Sequence, residues 1–141
     1  LVWYRRAHPV FRRRRWFQGR RIRGQDDMVW FRYDGVEMTD DDWESGFARS
    51  VGVFMNGDEI QATDFFGERM TDDTFFLIFN ASELDLPWTL PSSVSARRWT
   101  VDIYTAEPRT GTPFRRRRAV AAGATIDVIS RSVVVLRRTT A

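Results

Sequence analysis

The sequence predicts a mainly β fold, an antiparallel β-sandwich or barrel, on three observations. Six or seven short runs rich in β-branched and aromatic residues follow one another from residue 28 to residue 136. Turn signals separate them, among them Asp34-Gly35, Asn56-Gly57 and Pro91-Ser92-Ser93. The 141 residues are one domain's worth of chain, and with 43% apolar and 14% aromatic residues they can fill a core.

Residues 1–7 (LVWYRRA) have helical character, and Pro9 disfavours helix at His8, so a helix ends there. Fewer than two turns are unstable alone, because nucleation costs more than so few hydrogen bonds return. The segment therefore reads as the last turns of a longer helix, and a first residue that is Leu rather than Met reads as a chain cut from a longer one. Residues 9–24 read as an extended linker that lays Phe11, Trp16 and Phe17 on a neighbouring surface.

A strand is expected over residues 28–33, followed by the Asp34-Gly35 turn. Thr39 with Asp42 three residues on forms a capping pattern, and acids at 40, 41 and 42 suit a helix N-terminus. That helix is short and ends near Gly46. Val51, Val53 and Met55 then alternate with Gly52 and Phe54, and Asn56-Gly57 is expected to close a two-residue hairpin. Residues 74–80 (TFFLIFN) are apolar on both faces, the pattern of a central strand covered on both sides. Leu86, Trp88 and Leu90 share a face, with Pro87 at the strand's start. Trp99, Val101 and Ile103 are expected on one face, alternating with Thr100 and Asp102. Residues 107–113 form a loop. Residues 125–129 and 132–136 are two closing strands, joined tightly by Ser130-Arg131.

Composition excludes several classes of function. With no Cys there are no disulfides or thiolate metal sites, which suits a reducing cytoplasm. No apolar run reaches the length of a membrane span. With His8 as the sole histidine, no metal site and no cofactor is expected, and no nucleophile-elbow motif supports a triad; His8 is expected to pack or cap the helix end. The acidic runs at 26–27, 40–42 and 72–73 read as caps and solvated turns, because catalytic carboxylates of a glycosidase face each other across a bond and are not sequence neighbours. No calcium-loop spacing occurs. No catalytic residue is expected in this chain.

All 22 basic residues are Arg, and they are unevenly spread. Residues 1–25 hold nine Arg and no acid, residues 26–112 hold six Arg against eighteen acids, and residues 113–141 hold seven Arg against one acid. The clusters at 12–15, 20–23, 115–118 and 137–138, with Trp16 and Phe17 beside them, are what a nucleic-acid module presents. The acidic middle would repel a polyanion, so the basic ends are instead expected to neutralise acidic surface nearby. Asn80-Ala81-Ser82 matches a glycosylation pattern but ends an apolar strand. Trp88 and Trp99 read as core, whereas Trp30 and Trp43 are the candidates for stacking on a sugar ring.

Two segments carry a resemblance. Residues 27–58 (DMVWFRYDGVEMTDDDWESGFARSVGVFMNGD) and 72–82 (DDTFFLIFNAS) resemble the region just after the catalytic barrel of bacterial glycogen-debranching enzymes of the isoamylase type, within the α-amylase superfamily. Residues 5–19 (RRAHPVFRRRRWFQG) look like the end of that family's last barrel helix, and residues 99–105 and 130–136 fit its final strands more loosely. Where the family pattern has Pro, this chain has Tyr33. The resemblance implies residues 1–25 as the end of the last barrel helix with a basic-aromatic linker, and residues 26–141 as the α-amylase-type C-terminal β-sandwich. It implies hydrolysis of α-1,6 linkages in glycogen by the parent enzyme, with an Asp nucleophile and a Glu acid/base on a (β/α)8 barrel upstream of Leu1.

Three functions from different classes follow. The first is a structural domain that supports the catalytic barrel of the same polypeptide and meets α-glucan only through the parent enzyme. The second is a carbohydrate-binding module for α-glucans. The third is a nucleic-acid-binding protein, the reading the acidic middle disfavours. The first implies that the chain alone exposes an apolar patch, because residues 1–25 have lost their partner.

Overall fold

The computed structural model describes residues 1–13, 21–22, 25–45, 49–94, 96–106 and 119–139. The chain opens with a helix, α1 (Val2–Ala7), and a 3-10 turn (Pro9–Arg12). Strands β1 (Arg21–Ile22), β2 (Gln25–Asp26) and β3 (Met28–Phe31) follow, then α2 (Asp40–Glu44) and β4 (Ser50–Met55). The rest is strand: β5 (Phe75–Asn80), β6 (Leu86–Thr89), β7 (Arg98–Tyr104), β8 (Ala119–Ala121), β9 (Thr125–Val128) and β10 (Ser132–Arg138). The antiparallel, mainly β architecture expected from the sequence is thus present, and its layering is that of a sandwich.

One sheet dominates, in the order β3-β4-β5-β10-β7-β8, with every pairing antiparallel. β6 and β9 form a separate antiparallel pair, as do β1 and β2. The strands of the large sheet alternate between two apolar faces, because successive side chains point to opposite sides. On the first face, Phe31, Phe54, Phe76, Ile78, Trp99, Val134 and Leu136 pack with Trp88, Leu90 and Val128 of the β6–β9 layer into the main core. On the second face, Val53, Met55, Phe75 and Val135 form a separate core with Val10 and Ile60. β5 lies inside the sheet and feeds both cores, as its sequence requires. Trp88 and Trp99 are fully buried.

Most elements fall where the sequence places them. α1 ends at Ala7, with the His8 N–H donating to Tyr4 O at 3.2 Å. At the Asp34-Gly35 turn, the Gly35 N–H donates to Arg32 O at 3.0 Å. Asp42 closes the cap of α2, accepting from the Thr39 N–H at 2.8 Å and from Thr39 Oγ1 at 2.9 Å. Asn80 is buried and its Nδ2 donates to the carbonyls of Leu84, Val128 and Ile129, which leaves no free amide for a glycan.

Three local expectations are corrected. Asn56-Gly57 does not close a hairpin: β4 leads into a 3-10 turn (Gly57–Glu59), and β5 pairs with β4 only after a long excursion. Glycine is required there for close approach, not for a turn, since a Cβ on Gly57 would overlap the carbonyl oxygens of Asp72 and Asp73. Ser130-Arg131 is the tight join the sequence places there, and it links two layers, because β9 pairs with β6 while β10 lies between β5 and β7. Ile103 does not share a face with Trp99 and Val101. The β7–β10 register shifts between Val135 and Leu136, so Asp102 is an extra residue and the alternation reverses after it. Trp99 and Val101 therefore face the main core while Ile103 faces the second. Finally, Pro9–Arg12 is a 3-10 turn on the sheet, not extended linker, and Phe11 packs on Phe75 of this same domain at 4.8 Å. Trp16 and Phe17 lie outside the described residues.

Candidate functional site

The side of the molecule that carries the sequence's candidates is the second face of the large sheet. Its cover is small: α1, the turn after it, and the chain between β4 and β5. Tyr4 sits over Phe75, with ring centroids 5.9 Å apart, and His8 stacks edge-on against the same ring at 4.8 Å. Val10 is buried beneath them.

Polar contacts pin this cover to the sheet. Tyr4 Oη donates to Asp102 Oδ2 at 2.9 Å, and Arg137 Nε donates to the same oxygen at 2.8 Å. Arg137 Nη1 also donates to Asp73 Oδ2 at 3.0 Å. Although burial lowers the Arg137 pKa, hydrogen bonds and charge from Asp73 and Asp102 hold it above its ordinary value. Alternation with Trp99 and Val101 already puts Asp102 on the α1 side, and the bulge after it adds Ile103 to the same face. Its side chain is 4% exposed.

A second anchor is Asp72. One oxygen lies 2.9 Å from His8 Nδ1 and accepts the Asp73 N–H at 2.7 Å, and the other accepts the Val10 N–H at 2.9 Å. His8, Asp72 and Asp73 bring three ligand-type atoms within 4.8 Å of one another. Their atoms are already engaged with Val10 N–H, Asp73 N–H and Arg137, so the arrangement serves packing and capping, the role expected for His8. Sequence reasoning did not find the His8–Asp72 pair, since the partners are 64 positions apart and nothing local joins them.

Trp30 and Trp43 are brought together. Their ring centroids lie 5.2 Å apart at an interplanar angle of 81°, an edge-to-face pair. Trp30 is packed against the second core from the edge strand β3, while Trp43 on α2 is 53% exposed. Arg32 holds α2 against β3. It donates to Asp34 at 2.6 and 3.2 Å and to Asp42 at 3.2 Å. These hydrogen bonds, first to Asp34 and then to Asp42, hold the Arg32 guanidinium above its ordinary pKa. In return Asp34, through Arg32, and Asp42, through the Thr39 N–H, sit below the ordinary carboxylate range.

The other acids and the Arg clusters separate by environment. Asp27 is not a solvated turn residue; it is 1% exposed and 3.6 Å from Arg13 Nη1. Burial lowers the Arg13 pKa against the pull of Asp27 and Glu59, and Arg13 Nη2 donates to Asn56 O at 2.8 Å. Arg138 pairs with Asp58 at 2.7 Å. So Arg13, Arg137 and Arg138 neutralise acids of the chain's own middle. The clusters at 14–15 and 115–118, with Arg20 and Arg23, lie outside the described residues, and Arg21 is placed only as backbone. No described helix is long and apolar enough to cross a membrane.

No family model matches the chain. It is similar to proteins named glycogen operon protein GlgX homolog: 43% identical over 138 residues to that of Mycobacterium bovis, and equally to those of two Mycobacterium tuberculosis strains. The match takes in 96% of this chain, and the chain spans about a fifth (19%) of the length of those relatives. The resemblance drawn from residues 27–58 and 72–82 is thereby borne out.

Two predictions follow from this geometry. Asp102→Ala takes the shared acceptor from Arg137 Nε and the Tyr4 hydroxyl, leaving Arg137 with Asp73 alone, and should cost on the order of 3 kcal/mol in urea denaturation. Tyr4→Phe loses one hydrogen bond and should cost roughly 1 kcal/mol; equal losses would show that the carboxylate is not what pins α1. The Trp30–Trp43 exciton couplet in circular dichroism should hold from neutral pH down to about pH 4. Because Asp34 and Asp42 have folded-state values below their unfolded ones, their contribution is complete above that range and is lost as pH falls through the lowered values. Asp42→Asn should weaken the couplet at neutral pH and flatten its acid response, whereas a couplet unchanged down to pH 2 would show that these carboxylates do not seat α2.

Proposed function

We propose that this chain is the C-terminal accessory domain of a bacterial glycogen-debranching α-1,6-glucosidase, acting in the cytoplasm as a structural support for a catalytic (β/α)8 barrel on the same polypeptide. Residues 1–25 are then the end of the last barrel helix and its linker, and residues 26–141 the β-sandwich. The observation that carries the reading is the second face of the sheet. A helix of six residues, too short to persist alone, is pinned there by Asp102 and Asp72. Such a helix is useful as the end of a longer one, and fixing it to the sandwich fixes whatever it continues into. The similarity to glycogen-operon proteins about five times as long supports the same reading. On this reading the nucleophile and acid/base come from elsewhere in the polypeptide; among the described residues, Asp27, Asp42 and Asp73 of the carboxylate runs are engaged as a cap or as partners for Arg13, Arg32 and Arg137.

The α-glucan-binding alternative has one observation in its favour, the half-exposed Trp43 ring set edge-to-face on Trp30. A sugar ring would stack on the free face of Trp43, with Trp30 fixing its orientation. The nucleic-acid alternative loses Arg13, Arg137 and Arg138 to internal ion pairs.

Two experiments test these readings. Incubated with glycogen, the isolated chain should release no linear oligosaccharide, while the intact polypeptide should lose both debranching and thermal stability when residues 26–141 are deleted; turnover by the isolated chain overturns the accessory reading. In native gels containing glycogen, Trp43→Ala should abolish any retardation of the chain. Migration unaffected by glycogen removes the second reading and leaves the first in place.

A further inference from the structure

The loop between β4 and β5 holds the two most exposed large apolar side chains among the described residues, Phe65 at 97% and Phe66 at 86%. Their rings meet edge-to-face with centroids 5.8 Å apart. The tip that carries them is firmly built. Thr63 bridges Arg69, the Asp64 N–H donates to Glu68 O at 2.8 Å, and the Met70 N–H donates to Ala62 O at 3.0 Å. The Asp64 carboxylate accepts the Phe66 and Glu68 N–H groups at 2.8 and 2.9 Å. Gly67, at φ +82°, supplies the left-handed residue the turn needs. Below the tip, Arg69 donates to Asp58 O and Glu59, and Ile60 and Met70 are packed into the second core.

A groove of about 550 Å³ separates this hairpin from the turn that directly follows α1. Pro9 and Arg12 line one side, and Ile60, Phe65 and Met70 the other. Leu1, Val2 and Trp3 of α1 are exposed as well. Held this rigidly, two bare aromatic rings have the character of an interface anchor, since a turn of this type is equally well served by polar residues at those positions.

We propose that Phe65 and Phe66 anchor this domain to the part of the natural polypeptide that leads into α1, inserting into an apolar socket there. The proposal rests on the accessory reading above. This chain spans 19% of the length of its relatives, so most of such a polypeptide lies outside it. The hairpin faces, across one groove, the very turn by which that remainder is joined to the sandwich. A segment tethered at α1 is held near the hairpin at high effective concentration, an advantage that neither a second copy nor a free glycan has.

The test substitutes Phe65→Ser with Phe66→Ser in the intact polypeptide and in the isolated chain. In the intact polypeptide the melting midpoint should fall by roughly 5 °C, and amide exchange over residues 62–70 should quicken to the rate seen in the isolated chain. In the isolated chain the same change should leave the midpoint where it was. Phe65→Leu with Phe66→Leu should retain most of the intact polypeptide's midpoint. Equal midpoints for intact wild type and the double Ser variant overturn the proposal. So does a wild-type isolated chain that sediments as a dimer and becomes monomeric on substitution, or glycogen retardation that the substitution abolishes, because each names a different occupant. If deleting residues 26–141 weakens the intact polypeptide but the double Ser variant does not, the anchor falls and the accessory reading stands. If the deletion is also without effect, the accessory reading falls with it.

Discussion

A sheet whose strands are apolar on both sides has to bury both sides, and among the described residues a second sheet covers one of them. The β6–β9 pair closes the first face over Trp88, Leu90 and Val128. The second face is left to a six-residue helix, a 3-10 turn and a loop. None of these is large enough to hold its place by apolar contact alone, and the structure meets that shortfall with carboxylates. Asp102, on the α1 side of β7, accepts from the Tyr4 hydroxyl, and Asp72 takes the Val10 N–H and meets His8. Both lie among apolar neighbours, where a carboxylate is tolerated only because its partners are in place. Much else in the fold serves this one requirement: the bare backbone at Gly57 that lets residues 72–73 pass close, and the position of Arg137 between two acids.

How much of this was legible in the sequence depends on the range over which each signal acts. Strand positions and the main core were readable, because alternation and ring content are properties of a few adjacent residues. The cap at Thr39 and Asp42 and the end of α1 at His8 were readable for the same reason. Asn56-Gly57 was misread because a glycine that admits a left-handed turn and a glycine that admits a neighbouring backbone look alike in one dimension. The tight Ser130-Arg131 join was readable, but not which layers it links, because tight joins occur within a sheet and between sheets alike. The reversal after Asp102 depends on how β7 registers with β10, some thirty residues later, and nothing local marks it. The Trp30–Trp43 pair was half legible: both residues were singled out as surface aromatics, but only the packing of α2 on β3 sets them edge to face.

The charge distribution gains a physical meaning from the same geometry. A chain that is basic at both ends and acidic between them reads most simply as a module with basic tails. The described residues instead show the ends folding back on the middle. Arg13 reaches Asp27 and the carbonyls beside it, and Arg137 and Arg138 reach Asp73, Asp102 and Asp58. Asp27 and Asp102 are buried, so their pairs are screened little by salt and act as fasteners, while Asp58 and Asp73 sit nearer the surface. An Arg committed in this way is a poor phosphate ligand, because freeing it would strand a carboxylate.

The sidedness of the exposed aromatics separates the accessory reading from the glucan-binding one. A free-standing binding module needs a closed body and one platform. Here Trp30 leans on the second core, Trp43 lies against it, and Phe65 and Phe66 cap a loop whose stem enters the same core. The exposed residues of α1 belong to that cover as well. A sugar platform accounts for Trp43 alone and leaves the paired Phe rings and the six-residue helix without a purpose. Burial of this side against a larger body of the same polypeptide accounts for all of them at once, and for the economy with which the chain covers its second face: a cover that is itself to be covered can be thin, provided its attachment is strong.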